Sequence, residues 1–207
     1  MTEHQMSLSE SFNRAFKVMS SSGFLNMEGL NNEVPYFVLS YRTEEEPKVE
    51  AEHVRLVQRL RTAGITVADI DLYSLCVELW QEAGIWEQML EAEPALPKDV
   101  FAGPARNIAS PEAHLSPRIR DVVAGMVPAP QVVLLSGVGR LYPLVRAHTI
   151  LNTLQPLLSD LPIVLIFPGT FRQSATQGSS LVLFDRLTDD DYYRAFDLIP
   201  QEASGAH

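Results

Sequence analysis

The 207-residue sequence contains a single cysteine, Cys76, so no disulfide can form within the chain. One thiol and five scattered histidines also fall short of a structural zinc site, which needs four ligands at close spacing. Cysteine usage of this kind fits a reducing, cytoplasmic setting. No stretch approaches the roughly 20 uninterrupted apolar residues that cross a bilayer. Residues 1–7 carry Glu3, His4 and Gln5 where a secretory leader has a basic and then an apolar segment. A soluble cytoplasmic protein is expected. Basic residues are in deficit, with 16 Lys and Arg against 26 Asp and Glu, a net charge of −10. Such a chain repels nucleic-acid phosphates and anionic membrane surfaces unless its arginines cluster, so nucleic acid is disfavoured as a direct partner and no membrane partner is expected.

What is present is ordinary globular composition: 46% apolar and 20% charged residues exclude fibrous and wholly disordered classes, and the length suits one domain spanning 1–207. Leu8, Phe12, Ala15, Phe16 and Met19 recur at helical spacing behind Ser7 or Ser9, which predicts an amphipathic N-terminal helix over about 7–20. The apolar run 34–41 (VPYFVLSY) reads as a strand covered on both faces. Glu44, Glu45, Glu46 and Pro47 suit the start of a helix over about 48–63 that buries Val54, Leu56, Val57 and Leu60. Strand 65–70, helices 72–82 and 85–90, and a Pro-rich irregular excursion over about 94–118 follow. A helix is expected within 113–126, a third strand over 131–136, and a helix over about 140–157. Residues 162–167 (PIVLIF) form a fourth strand and 181–184 a short fifth, separated by a mobile polar loop over 169–180. Residues 192–198 read as a last helix or extended segment, and the chain from Pro200 as a disordered tail. Strands alternating with helices predict an α/β fold, a mostly parallel, doubly wound sheet of about five strands with helices on both faces.

The most pronounced local feature is a strand followed by Ser136, Gly137, Val138, Gly139 and Arg140 and then a helix. Glycines let a backbone approach a ligand, and unpaired N–H groups at a helix start favour an anion. The loop resembles a P-loop in outline but lacks the Walker residues: no Lys followed by Ser or Thr stands in 139–143, and Tyr142 stands where a dinucleotide motif needs its third Gly. The fourth strand ends in Phe167, Pro168 and Gly169, where a Walker B strand ends in a metal-binding carboxylate. A structural turn or an anion contact is therefore expected here, and no nucleotide hydrolysis, no metal and no cofactor. On the following helix Arg140, Arg146, His148 and Asn152 supply polar groups beside an apolar stripe, with His148 and Asn152 on one face. Ligands of parallel α/β sheets collect beyond the carboxyl ends of the strands, so residues 40–42, Asp71, 137–140 and 168–170 are expected to converge on one crevice. Asp189, Asp190 and Asp191 read as a helix cap rather than a cation site. Tyr192, Tyr193, Arg194 and Phe196 form a cluster that serves either to dock the terminal segment or to meet a partner.

Segments 24–41 (FLNMEGLNNEVPYFVLSY), 69–75 (DIDLYSL), 134–154 (LLSGVGRLYPLVRAHTILNTL), 166–169 (IFPG) and 183–198 (LFDRLTDDDYYRAFDL) resemble, in matching order, the BrxB family of bacteriophage exclusion (BREX) defence systems. The sequence departs from that pattern at Asp185, where Gly is frequent, and at Phe171, where Tyr is. The resemblance implies a small cytoplasmic accessory component without catalytic activity that binds other BREX proteins, above all PglZ, a protein of alkaline-phosphatase type. A scaffold needs a complementary surface rather than an aligned nucleophile and base. The candidate interaction residues are Gly137, Gly139, Arg140, Tyr142, Arg146, His148, Asn152 and Arg186, with Tyr192, Tyr193 and Arg194 near the C-terminus. The main rival is a regulatory nucleotide or anion sensor that uses 137–140 with Arg146 or Arg186 to hold a phosphate without cleaving it. A nucleic-acid contact through Arg140, Arg146, Arg172, Arg186 and Arg194 is a third reading, and self-association stays open.

Overall fold

The computed structural model of the chain describes residues 6–29, 35–92, 94, 97–174, 178–188 and 195–199. The N-terminal helix α1 (Leu8–Met19) is closed by a reciprocal cap: Ser7 Oγ accepts the Glu10 N–H at 3.3 Å, and the Glu10 carboxylate accepts the Ser7 N–H at 2.9 Å. The short α2 (Ser22–Leu25) leads to β1 (Tyr36–Tyr41), α3 (Glu46–Thr62) and β2 (Val67–Asp71). Then come α4 (Leu72–Glu82), α5 (Trp86–Ala92), α6 (Lys98–Ile108), one π-helical turn (Pro111–Leu115), α7 (Ser116–Ala124) and β3 (Val132–Ser136). A 3-10 turn (Val138–Leu141) precedes α8 (Ala147–Leu154), β4 (Ile163–Ser174), β5 (Gly178–Leu183), β6 (Leu187–Thr188) and β7 (Phe196–Asp197).

Among the described residues the strands β2, β3, β4, β1 and β7 lie side by side in that order, all parallel. Side chains alternate between the two faces. Leu39, Val67, Leu134, Val164 and Ile166 pack with α1, α2 and α3 on one face; Val38, Ala68, Val133, Leu135 and Leu165 pack with α4, α7 and α8 on the other. Helices thus cover both faces of a mostly parallel sheet, as the α/β reading expects. The sheet reverses direction of travel after β2, because β1 crosses over two strands to reach it while β3 and β4 step back toward β1. No helix of the described residues is long and apolar enough to cross a membrane.

Four expectations need correction. Val54 is 51% exposed, and Val49 occupies the buried stripe of α3 instead. The stretch read as irregular over 94–118 contains α6 and the π-helical turn: Ala102, Ala105 and Ala109 are buried at helical spacing, and Trp80 Nε1 donates to the Ala105 carbonyl at 2.9 Å. These contacts hold the helix despite Pro104 inside it. The helix expected from about 140 starts at Ala147, because a residue before proline disfavours the helical region and Tyr142 is extended at φ −68° and ψ 136° ahead of Pro143. The loop expected over 169–180 is a two-stranded antiparallel ribbon, with β4 running past the sheet to pair with β5 from Gly169↔Leu183 to Ser174↔Gly178. Residues 189–194 and 200–207, which include Asp189, Asp190, Asp191, Tyr192, Tyr193, Arg194 and the tail, lie outside the described residues.

Candidate functional site

The β2–β3 register sets Asp71 beside Ser136, so the last residue of one strand lies next to the glycine turn that follows the other. Asp71 is the N-cap of α4, and its Oδ1 accepts the Ser74 N–H at 2.7 Å. Its Oδ2 accepts from Arg140 Nη2, which returns from the 3-10 turn, and the Arg140 guanidinium also lies 5.0 Å over the Tyr73 ring. Gly137 sits under this pair with φ +77°; a Cβ there would stand 2.8 Å from Asp71 Oδ2 and 2.9 Å from Arg140 Nη2. The carboxylate that meets the glycine turn is therefore the chain's own.

Around the pair lies a crevice of about 500 Å³ at the carboxyl ends of the strands, lined by Tyr41, Asp71, Ser136, Gly137 and Arg140 from the sheet side and by Glu46, Glu50 and His53 from α3. Tyr41 donates its hydroxyl to Glu46, and burial first, then that carboxylate, pushes the phenol well above its ordinary range. His53 Nε2 lies 2.7 Å from Asp69 Oδ1, which ties α3 to β2. The single crevice expected for residues 40–42, 71, 137–140 and 168–170 is divided in two: Tyr41, Asp71, Gly137 and Arg140 line this one, and Ser40, Arg42, Gly169 and Thr170 line another. Gly139 reaches Pro168, where a Cβ would lie 2.7 Å from its ring carbon.

Beyond the turn, Tyr142 and Pro143 are exposed and Val145 is buried, so residues 142–146 form a ridge with a hollow on either side. A groove of about 700 Å³ separates the ridge from Arg106, Asn107 and the π-helical turn. A cavity of about 310 Å³ separates it from the β4–β5 ribbon, and Arg146 and Arg186 both line that cavity. Tyr142 stands edge-on to Phe184 with ring centroids 6.4 Å apart, and Leu187 is 40% exposed beside it.

The structure brings Gly137, Gly139, Arg140, Tyr142, Arg146 and Arg186 to one end of the sheet. His148 and Asn152 part company: His148 is buried, with Nε2 3.0 Å from Thr149 Oγ1, while Asn152 is exposed. His148 therefore offers no surface to a partner. Tyr192, Tyr193 and Arg194 lie outside the described residues, and the Arg172 side chain does too. Sequence reasoning missed Tyr73 under the Arg140 guanidinium, and Phe184 and Leu187 as neighbours of the ridge. Only the LFDRL run around Phe184 gave a signal, and its meaning depended on the ribbon.

Asp185 adopts φ +57°, a region easy for glycine and tolerated by aspartate, and its carboxylate accepts from Thr170 and, at 3.4 Å, from Thr43. The departure from the family pattern thus falls where backbone conformation suits Gly and where these hydrogen bonds support Asp. Among the described residues no group of three or more His, Cys, Asp or Glu side chains is placed to hold a metal ion.

The chain was compared with known proteins. A family model described as "BREX protein BrxB" matches residues 68–198. A BREX protein BrxB of Bacillus cereus (strain H3081.97) is 28% identical over 193 residues, covering 93% of this chain and 97% of that protein. A BREX protein BrxB of Escherichia coli O9:H4 (strain HS) is 26% identical over 185 residues, covering 88% of this chain and 87% of that protein. No solved structure matches the chain. With a family model spanning most of the sheet and both relatives aligned almost end to end, the chain belongs to the BrxB family of BREX proteins.

Proposed function

We propose that this chain is a non-catalytic accessory component of a BREX-type phage-defence system, acting in the cytoplasm as a scaffold for another BREX protein, a PglZ-like protein of alkaline-phosphatase type foremost. The observation that carries this reading is the Asp71–Arg140 ion pair against Gly137. In nucleotide-hydrolysing α/β proteins the equivalent turn holds a phosphate and its lysine; here it is filled by an internal carboxylate and arginine. A binding role asks instead for an exposed aromatic and apolar anchor ringed by charge. Tyr142 at 39% and Leu187 at 40% exposure supply the anchor, and Arg186 gives it a positive edge on a chain of net charge −10. An acidic, apolar-tipped surface of the partner complements that edge.

The test is co-purification and native mass spectrometry of the chain with a PglZ-like protein of the same defence cluster. A stable complex at micromolar concentration is expected. Tyr142→Ala and Leu187→Glu should each weaken it roughly tenfold or more, as for anchors in other interfaces.

A further inference from the structure

The turn that joins β5 to β6 sends two oppositely charged side chains to different places. Leu183 pairs with Leu187 across it, and Phe184 and Asp185 take φ +54° and +57°, so the chain reverses over Phe184, Asp185 and Arg186. The Asp185 carboxylate is held by Thr170 and, at 3.4 Å, by Thr43. Arg186 instead lines the cavity of about 310 Å³ between the ridge and the β4–β5 ribbon; it is exposed, and its guanidinium has no hydrogen-bonding partner among the described residues. The cavity floor is core, with Val138, Val145, Phe167 and Leu181 all nearly fully buried, while Tyr142 and Leu187 are exposed at its mouth. No carboxylate belongs to the described lining, and Arg146 on the ridge side already has an interaction partner, so Arg186 is the charge left to an occupant.

We infer that this cavity is the socket for one aromatic side chain of a partner protein, with a carboxylate on the adjoining partner residue paired to Arg186. The inference rests on the binding role proposed above and names the chemistry of what is bound. The volume lies at the lower end of sites for small organic groups, which run from roughly 300 to 1,000 Å³, so it admits one large side chain and no helix or strand. A flat ring fills an apolar floor that has Phe167 in it and Tyr142 at its edge, a setting in which aromatic anchors contribute most. One guanidinium without a carboxylate matches one carboxylate, on a chain whose net charge of −10 otherwise repels acidic partners. The occupant belongs to a protein rather than to a free aromatic acid because Tyr142 and Leu187 leave apolar surface around the mouth. A small molecule in the socket does not cover that surface; a partner's surface does.

Amide NMR of the full chain, titrated with N-acetyl-Phe-Asp amide, N-acetyl-Phe-Lys amide, N-acetyl-Ala-Asp amide and phenylacetate, tests the socket without any partner. The Phe-Asp peptide should give saturable shifts concentrated at residues 138, 145 and 183–187 at millimolar concentration, and should bind roughly tenfold or more tighter than the other three probes. In native mass spectrometry with the PglZ-like protein, Arg186→Glu, which reverses the charge, and Leu183→Trp, which fills the socket, should each weaken the complex roughly tenfold or more. Arg186→Glu alters an exposed side chain and keeps the fold where the tryptophan does not. Absence of saturable shifts with the Phe-Asp peptide overturns the inference, as does equally tight binding of the Phe-Lys peptide or phenylacetate. So do shifts that track the chain's own concentration, the mark of a second copy in the socket, or a complex that forms and is unaffected by Arg186→Glu. A complex that fails to form with the unaltered chain contradicts the named partner, while saturable Phe-Asp binding at 183–187 still supports the socket.

Discussion

Asp71 and Arg140 are 69 residues apart in sequence yet share one ion pair, and the same Asp71 carboxylate caps α4 through the Ser74 N–H. The two functions separate on mutation. Arg140→Ala removes the pair, whose arginine side chain is 50% exposed, and the contact over the Tyr73 ring but leaves the cap, and should cost less than about 1 kcal/mol. Asp71→Ala removes the pair and the cap together and should cost about 1–2 kcal/mol. Urea unfolding of both single variants and the double variant measures this, with a coupling of at most about 1 kcal/mol expected. Equal losses for the two single variants contradict the assignment.

Gly169 marks the point where β4 leaves the parallel sheet and enters the ribbon. Its φ is +139°, and a Cβ there would lie 2.1 Å from the Val182 carbonyl oxygen, a contact that backbone atoms cannot relieve by a rotamer change. Gly169→Ala should therefore destabilise by more than about 3 kcal/mol or prevent folding. Gly64 also has a positive φ, +81°, but nothing within 4 Å of its Cβ position. Gly64→Ala should cost only about 1–2 kcal/mol. Thermal melts of the two variants in parallel separate collision from conformational strain.

Asp185→Gly and Asp185→Ala should differ in outcome. Glycine relieves the positive φ while giving up exposed hydrogen bonds to Thr170 and Thr43, so its net effect should stay within about 1 kcal/mol. Alanine gives up the bonds and keeps the strain, and should lose about 1–2 kcal/mol. Chemical denaturation of the pair checks the order.

Alkaline pH should loosen the fold. Burial pushes the Cys76 thiol from its ordinary 9.0 up to about 12, with the Asp71 charge adding to the effect, and burial likewise raises the phenols of Tyr36 and Tyr41. A pKa raised on folding means that the folded chain prefers the neutral form. For Cys76 this stabilisation is complete below pH 9 and is lost as the pH climbs toward 12, and the tyrosines act in the same direction at higher pH. The urea midpoint should fall between pH 8.5 and pH 10.5, and Cys76→Ala should reduce that fall. At pH 8 a thiol reagent should label Cys76 only as fast as the protein unfolds. A midpoint that rises with pH contradicts the burial of these groups.

The core of the sheet was legible because its strands are buried on both faces and read as unbroken apolar runs, VPYFVLSY and PIVLIF among them. The ribbon was not: β5 begins with Gly178, Ser179 and Ser180, polar residues that also spell a loop, and only pairing with β4 makes them a strand. Helix α6 was hidden by Pro97, Gly103 and Pro104; what holds it is tertiary, the Trp80 hydrogen bond to Ala105 and a buried alanine face. The site was half legible. Placement beyond the strand ends follows from parallel topology, and the absent Lys and Ser or Thr are visible in the sequence. The Asp71–Arg140 pair needed the β2–β3 register, and the burial of His148 away from exposed Asn152 needed the orientation of α8.

The scaffold reading is tested most directly by native mass spectrometry of the purified chain mixed with the PglZ-like protein of its own cluster, with ATP and GTP turnover assayed on the same sample. A complex of defined stoichiometry, weakened by Tyr142→Ala, and no nucleotide hydrolysis by the chain alone are the expected results. Two free proteins at micromolar concentration contradict the account, as does metal-dependent hydrolysis that Gly137→Ala abolishes in a variant that remains folded.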